Sequence, residues 1–248
     1  MVNLQEIRSF IENQKLKGQD YSVRNISIDD PVILKVGNRV WDGIILEEDI
    51  GIELGSNDNP IIKTLISLKD STDIHNSRIT LIGKDLKDIS TPSCKFGFLI
   101  LIGGKNISNT AINKIRRSIY LSTNVEGIFE KQSGRNSWYQ LTRKLLDKKL
   151  SFIDIGSALM KLIRNEVPEN IKIEILMTVE NDLVLTYFRE LYDLSKIDSI
   201  KQFQEKIKNI QKLRPDCDYD WECTVCDNKE ICDQVRDMIT RRNKMMKG

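Results

Sequence analysis

The stretch FGFLILIGG, Phe96 to Gly104, is the most apolar run in the sequence and sets how its neighbours are read. Its apolar part ends at Ile102, far short of the roughly 20 residues that a membrane-spanning helix needs. Successive strand residues face opposite sides of a sheet, so a run that is apolar at every position must be covered on both faces. A central strand is therefore predicted. Upstream, from Pro31, come shorter β-branched runs separated by Gly, Asn and Asp: PVILKVG (31–37), DIGIELG (49–55), IIKTLISLK (61–69) and RITLIG (78–83). These are strand signatures with turn punctuation.

Helical periods surround this core. Leu4, Ile7, Phe10 and Ile11 predict an amphipathic helix over 3–17, followed by a polar linker over 18–30. Ser108 and Asn109 offer N-caps for a helix over 110–122, with Ile112, Ile115 and Ile119 on one stripe. Residues 124–137 read as a polar loop and WYQLTR (138–143) as a strand. A helix over 153–166 stops before Pro168, a strand follows at 171–179, and a helix at 181–194. A second, highly charged helix is expected over 199–213, and a basic one over 233–248. The pattern predicts an α+β fold, a mixed sheet with packed helices, carrying a small C-terminal helical cysteine module. The expected divisions are 1–30 (helix and linker), 31–195 (α+β domain) and 196–248 (cysteine module).

Among 248 residues, 38 Lys and Arg nearly balance 36 Asp and Glu. That near-neutrality makes nucleic acid an unlikely partner. A single histidine, His75, argues against a Ser-His-Asp triad or a multi-histidine metal site, and its polar surroundings assign it no role. The N-terminal residues carry acids and no apolar signal core, so a cytoplasmic protein with no membrane segment is expected.

Cysteine usage is the exception to this ordinary composition. Of five cysteines, four, Cys217, Cys223, Cys226 and Cys232, fall within sixteen residues. The spacing C-x2-C-x5-C from Cys223 to Cys232 lets a tight turn present two thiolates to one metal and the next turn a third. It is similar to the motifs that hold [4Fe–4S] clusters in certain CRISPR-associated nucleases and radical enzymes. Cys217 is the natural fourth ligand, with Cys94 as the alternative. Cubane clusters want four thiolates in a shielded pocket, and Trp221, Val225 and Ile231 are available as the shield. Zinc is the alternative metal, since four thiolates also close a structural site, although zinc ribbons usually pair two C-x2-C knuckles and only one is present. Two disulfides or free thiols are the bland alternative. From Asp216 to Asp233 seven acids face one base, Lys229. Such a shell would lower a cluster's potential and suit a basic partner, and it equally fits a solvated loop.

Residues 111–192 carry a recognisable pattern. Arg116 and Arg117, then Tyr120, Asn124, the pair Glu126 and Gly127, and the run Arg135, Trp138, Leu141 to Arg143 follow one another in order. This arrangement resembles the middle domain of the acetyl-CoA synthase subunit of carbon monoxide dehydrogenase/acetyl-CoA synthase. KVGNRVWDGIILEEDIGIELG (35–55) and RITLIGKDLKDI (78–89) match the same order of segments, so the resemblance spans roughly 31–192. It implies the middle-domain fold and, in the family, a following cysteine-rich domain with a nickel–iron–sulfur site. Cys223 and Cys226 stand where that domain's first C-x2-C is expected. Cys232 follows too closely for the family's remaining ligands, and no Cys-Gly-Cys occurs in these residues. A complete acetyl-CoA synthase is therefore not expected.

The resemblance also implies a coenzyme A site, or one for a related nucleotide. Phosphates need cations and adenine a flat surface, so the candidates are Arg116, Arg117, Arg135 and Arg143, with Trp138 as the platform. Structural roles are the alternative, since Arg116 or Arg117 can be solvated and Trp138 can be core. The leading expectation is an iron–sulfur accessory or electron-transfer subunit working with a partner enzyme in anaerobic one-carbon, corrinoid or metallocofactor metabolism. The alternatives are an enzyme chain of a split or reduced acetyl-CoA synthase and a zinc-stabilised interaction module. Whether the chain is itself an enzyme stays open. A cubane-containing nuclease is disfavoured, because such enzymes hold Mg2+ with a Glu-x-Lys element and no glutamate here is followed two residues later by lysine.

Overall fold

The computed structural model describes residues 3–17, 19–26, 34–37, 47–68, 72–83, 86, 89, 93–105, 107–213 and 233–234. The chain divides into a larger unit, Val2–Tyr192, and a smaller one, Asp193–Gly248 with Met1. The elements in order are α1 (Leu4–Leu16), β1 (Asp20–Asn25), β2 (Ile50–Leu54), β3 (Ile62–Leu68), β4 (Arg78–Gly83), β5 (Ser93–Cys94) and β6 (Phe96–Gly103). After them come α2 (Asn109–Ser118), α3 (Leu121–Asn124), β7 (Ile128–Ser133), β8 (Asn136–Thr142), α4 (Arg143–Leu146), α5 (Phe152–Arg164), β9 (Lys172–Val179) and α6 (Asp182–Leu213).

The apolar run Phe96–Gly103 is β6, buried at all eight positions. It lies inside a five-stranded mixed sheet of order β1-β4-β9-β6-β3, antiparallel to β9 and parallel to β3. Phe96, Phe98, Ile100 and Ile102 point to one side. There they join Ile79, Leu81, Ile173, Ile175 and Met177 against Phe152, Ile155, Leu159 and Ile163 of α5. Leu99 and Leu101 point to the other side and meet Ile7 and Ile11 of α1 and Val184, Phe188 and Leu191 of α6. Each such fully covered side chain contributes about 1.5–3 kcal/mol by leaving water. α5 is held at its start by a capping box: the Ser151 hydroxyl accepts from the Asp154 amide, and the Asp154 carboxylate accepts from the Ser151 amide.

A second, four-stranded sheet has the order β5-β2-β8-β7. Its inner residues Ile52, Leu54, Tyr139 and Leu141 join the same core as α5. Chain passage between the sheets is short, because Lys95 alone separates β5 in one from β6 in the other.

Several expectations are corrected here. The linker over 18–30 contains β1, an edge strand antiparallel to β4. Most of its side chains are exposed, so pairing with β4 creates the strand and its own sequence carries no alternation. The loop over 124–137 contains β7, whose polar second half sits at a sheet edge. The helices expected over 181–194 and 199–213 form one element, α6, because Ser195, Lys196, Ile197 and Asp198 include neither Gly nor Pro to stop it. The helix expected over 110–122 breaks at Ile119 and Tyr120 into α2 and α3. The strand expected over 31–37 is described only at 34–37, where Val36 forms an isolated bridge to Val125. The helix expected over 233–248 is described only at 233–234. No helix among the described residues is long and apolar enough to cross a membrane.

Candidate functional site

The site is assembled around the C-terminal end of α2. Ser108 caps its start, its hydroxyl accepting from the Ala111 amide at 3.1 Å. Ile115 is fully buried and fixes which way the helix faces. Lys114 and Arg117, three residues apart, then lie on a common face with Cβ atoms about 5–6 Å apart. At the other end Asn124 closes the helix. Its amide nitrogen donates to the carbonyls of Arg117 (3.4 Å), Ser118 (3.3 Å) and Tyr120 (2.9 Å). The Arg117 carbonyl also accepts from the Tyr120 amide at 3.3 Å, while those of Ser118 and Tyr120 fall where the intrahelical donors run out.

Residues 34–37 run across this end. The Gly37 amide donates to the Asn124 carbonyl at 3.0 Å, and the Glu126 amide to the Lys35 carbonyl at 3.2 Å. Lys35 and Glu126 add an exposed ion pair at 3.5 Å. Gly127 follows with φ of 86°, a left-handed conformation that glycine adopts without strain. A cavity of about 600 Å3 lies between α2, the end of α5 and this strap. Its wall comprises Val36, Gly37, Lys114, Arg117, Ser118, Asn124, Leu162, Asn165 and Glu166. The volume falls in the range of small-molecule sites.

Of the residues proposed from sequence to bind a ligand, only Arg117 lines this cavity. Arg116 is exposed on α2 and is not among the lining residues. Arg135 is exposed in the turn between β7 and β8, beside Gly134 at φ of 59°. Arg143 opens α4, and its Nε donates to the Ile50 carbonyl at 3.3 Å. Arg135 and Arg143 thus flank the two ends of β8, about 26 Å apart along an extended strand. Trp138 is 6% exposed, its Nε1 donates to Glu53 Oε1 at 3.2 Å, and Lys131 Nζ stands 5.7 Å from its ring centre. The structure therefore does not gather the four arginines and the tryptophan at one place. Lys114 and Asn165 went unnoticed in the sequence. The three-residue spacing to Arg117 could have identified Lys114, but no local signal points to Asn165.

Cys217, Cys223, Cys226 and Cys232 lie outside the described residues. Cys94, the alternative fourth ligand, is 4% exposed in β5. Burial, reinforced by the Glu180 carboxylate, pushes its thiol up to about 12. His75 lies beside a buried charge cluster. Glu174, fully buried in β9, accepts from Arg8 Nη1 at 2.6 Å, Arg78 Nε at 3.0 Å and the His75 backbone amide at 3.0 Å. A second Arg8 nitrogen, Nη2, also pairs with Glu174. Burial and then the Arg78 and Arg8 cations push the imidazole below its ordinary value. The cluster ties α1 to the sheet and serves as structure.

A family model described as CO dehydrogenase/acetyl-CoA synthase complex beta subunit matches residues 34–184. The chain is 26% identical over 194 residues to an acetyl-CoA decarbonylase/synthase complex subunit beta of Archaeoglobus fulgidus, covering 77% of this chain and 34% of that protein. It is 21% identical over 187 residues to subunit beta 2 of the same-named complex of Methanosarcina thermophila, covering 73% of this chain and 37% of that protein. The aligned part therefore spans little more than a third of the length of these relatives. Strap, α2, cavity, α5 and every strand except β1 fall within the matched residues.

Proposed function

Because the chain belongs to the family of CO dehydrogenase/acetyl-CoA synthase complex beta subunits, we propose that it is an iron–sulfur accessory or electron-transfer subunit. It acts in the cytoplasm with a partner enzyme of anaerobic one-carbon, corrinoid or metallocofactor metabolism. The observation that carries this reading is the pairing of a family-matched α+β body with four cysteines in sixteen residues. The relatives are named as subunits of a complex, which supports a protein partner.

The donor set fits a cubane cluster. Cys217, Cys223, Cys226 and Cys232 are four soft thiolate donors, in a chain with one histidine. These residues would hold the [4Fe–4S] cluster, which supplies one-electron transfer when bound. Cys217, inside the four-cysteine segment itself, is the proposed fourth ligand, with Cys94 of β5 as the alternative. The seven acids between Asp216 and Asp233 favour the oxidised cluster and a basic docking surface on the partner. The body also takes CoA or a related nucleotide in this reading, with Arg117 the best placed of the proposed cations.

A second reading, an enzyme chain of a split or reduced acetyl-CoA synthase, is favoured by the relatives' names alone. Metal analysis separates the readings. Anaerobically purified protein and a Cys226→Ala variant are assayed for iron, sulfide, zinc and nickel. About four irons and four sulfides per chain, reduced in the variant, are expected. Zinc without sulfide would leave a structural interaction module, and stoichiometric nickel would favour the synthase.

A further inference from the structure

We propose that the cavity between α2, α5 and the 34–37 strap binds a small organic phosphate, of mononucleotide size or smaller. The inference rests on the nucleotide part of the proposed function, whose Arg117 it shares, concerns the larger unit alone and does not depend on the cysteines holding iron.

The wall presents two cations from one helix face. Lys114 and Arg117 are separated by three residues, so both can reach a common anion. Arg117 brings a planar fork of donors and Lys114 a point charge, a combination suited to an anion with several oxygens. Neither makes an ion pair with another described residue. Asn165, at the C-cap of α5, faces the same space and offers amide hydrogens. Asn124 and Ser118 are already engaged, the first closing α2 and the second donating to the Ile115 carbonyl at 2.9 Å. They shape the wall and leave anion binding to Lys114, Arg117 and Asn165.

The dipole at the end of α2 accounts for a cation in its last turn. Lys114, nearly a turn earlier, is exposed on the same face as Arg117 and lines the same cavity. Glu166 supplies the one carboxylate among the described lining residues. It accepts a hydroxyl or amino hydrogen from the ligand body. Val36 and Leu162 offer apolar contact. A phosphate monoester with a hydroxylated body matches these groups. Inorganic phosphate satisfies only the cations.

The test is calorimetric titration of the full chain with AMP, glycerol 3-phosphate, inorganic phosphate and, as the uncharged control, adenosine. Wild type, Arg117→Gln, Lys114→Gln and Arg24→Gln are compared, Arg24 being an exposed cation on β1. The proposal expects both phosphate esters to bind more tightly than inorganic phosphate, and adenosine to bind at least tenfold more weakly than AMP. It expects Arg117→Gln to lose tenfold or more, Lys114→Gln to lose severalfold, and Arg24→Gln to match wild type. Absence of ester binding, retention of binding in both cavity variants, or an equal loss in Arg24→Gln would each overturn it. CoA titrated alongside tests the Proposed function separately: a protein that binds CoA but neither ester sinks this inference and keeps that reading.

Discussion

The two sheets of the larger unit are built on different principles. In the five-stranded sheet, β6 hides all eight residues and β9 all but its first. Helices cover both faces, and the one buried carboxylate, Glu174, is matched by two arginines and a backbone amide. In the four-stranded sheet, β7 buries Ile128 and leaves Lys131, Gln132 and Ser133 exposed. That sheet is held to its neighbour by polar contacts as well as packing. Lys63 Nζ of β3 bonds Glu130 of β7 at 2.6 Å and stands about 5 Å from the ring centres of Tyr120 and Tyr139. The Ile61 amide donates to the Ser137 carbonyl at 2.9 Å. The large sheet is a stability core; the small sheet is a more exposed layer beside it, and the described wall of the cavity comes from the 34–37 strap, α2, Asn124 and the end of α5.

Substitutions in the two sheets should separate accordingly. The largest loss is expected from Glu174→Ala, which leaves the Arg8 and Arg78 cations without their carboxylate. Urea denaturation should give about 3–5 kcal/mol, and Phe98→Ala a similar loss through its cavity. In the small sheet, Glu130→Ala should cost about 1.5–3 kcal/mol, the range for a hydrogen bond to a charged group. A Lys63/Glu130 double-mutant cycle would then isolate the link between the sheets. A loss for Glu130→Ala as large as that for Glu174→Ala would erase the contrast drawn here.

Smaller effects sharpen it. Gly127→Ala should cost about 1–2 kcal/mol, because φ of 86° is strained for a residue with a Cβ, and that Cβ would meet Thr142 Oγ1 at 2.9 Å. Cys94 makes stability depend on alkaline pH. Its folded value is raised from 9.0 to about 12, so its contribution is intact below the ordinary value and is lost as pH rises toward the folded one. About 1 kcal/mol should disappear within one unit above the ordinary thiol value. Cys94→Ala should remove that part of the pH profile.

The same contrast explains what could be read from residues alone. FGFLILIGG needed no tertiary information, because a strand apolar on both faces has few alternatives. The α5 box at Ser151 and Asp154 and the Ser108 cap are local signals as well. β1 and β7 were misread because DYSVRN and IFEKQS acquire their conformation from a neighbouring strand. The cavity was half legible: Arg117 belongs to the family-like pattern, but its partners come from α5 and the strap, over 40 residues away in either direction. Trp138 matched the pattern of the family, yet its ring is nearly all buried and its indole hydrogen is engaged by Glu53.

Electron uptake tests the proposed redox module on this family body most directly. Anaerobic titration of the purified chain with dithionite, followed by visible absorbance, should show about one electron accepted reversibly per chain, with bleaching of a broad sulfur-to-iron band. Cys226→Ala should lose that capacity while keeping the wild-type denaturation midpoint of the larger unit. A colourless protein that accepts no electrons would contradict the account and leave a family-like binding domain without redox function.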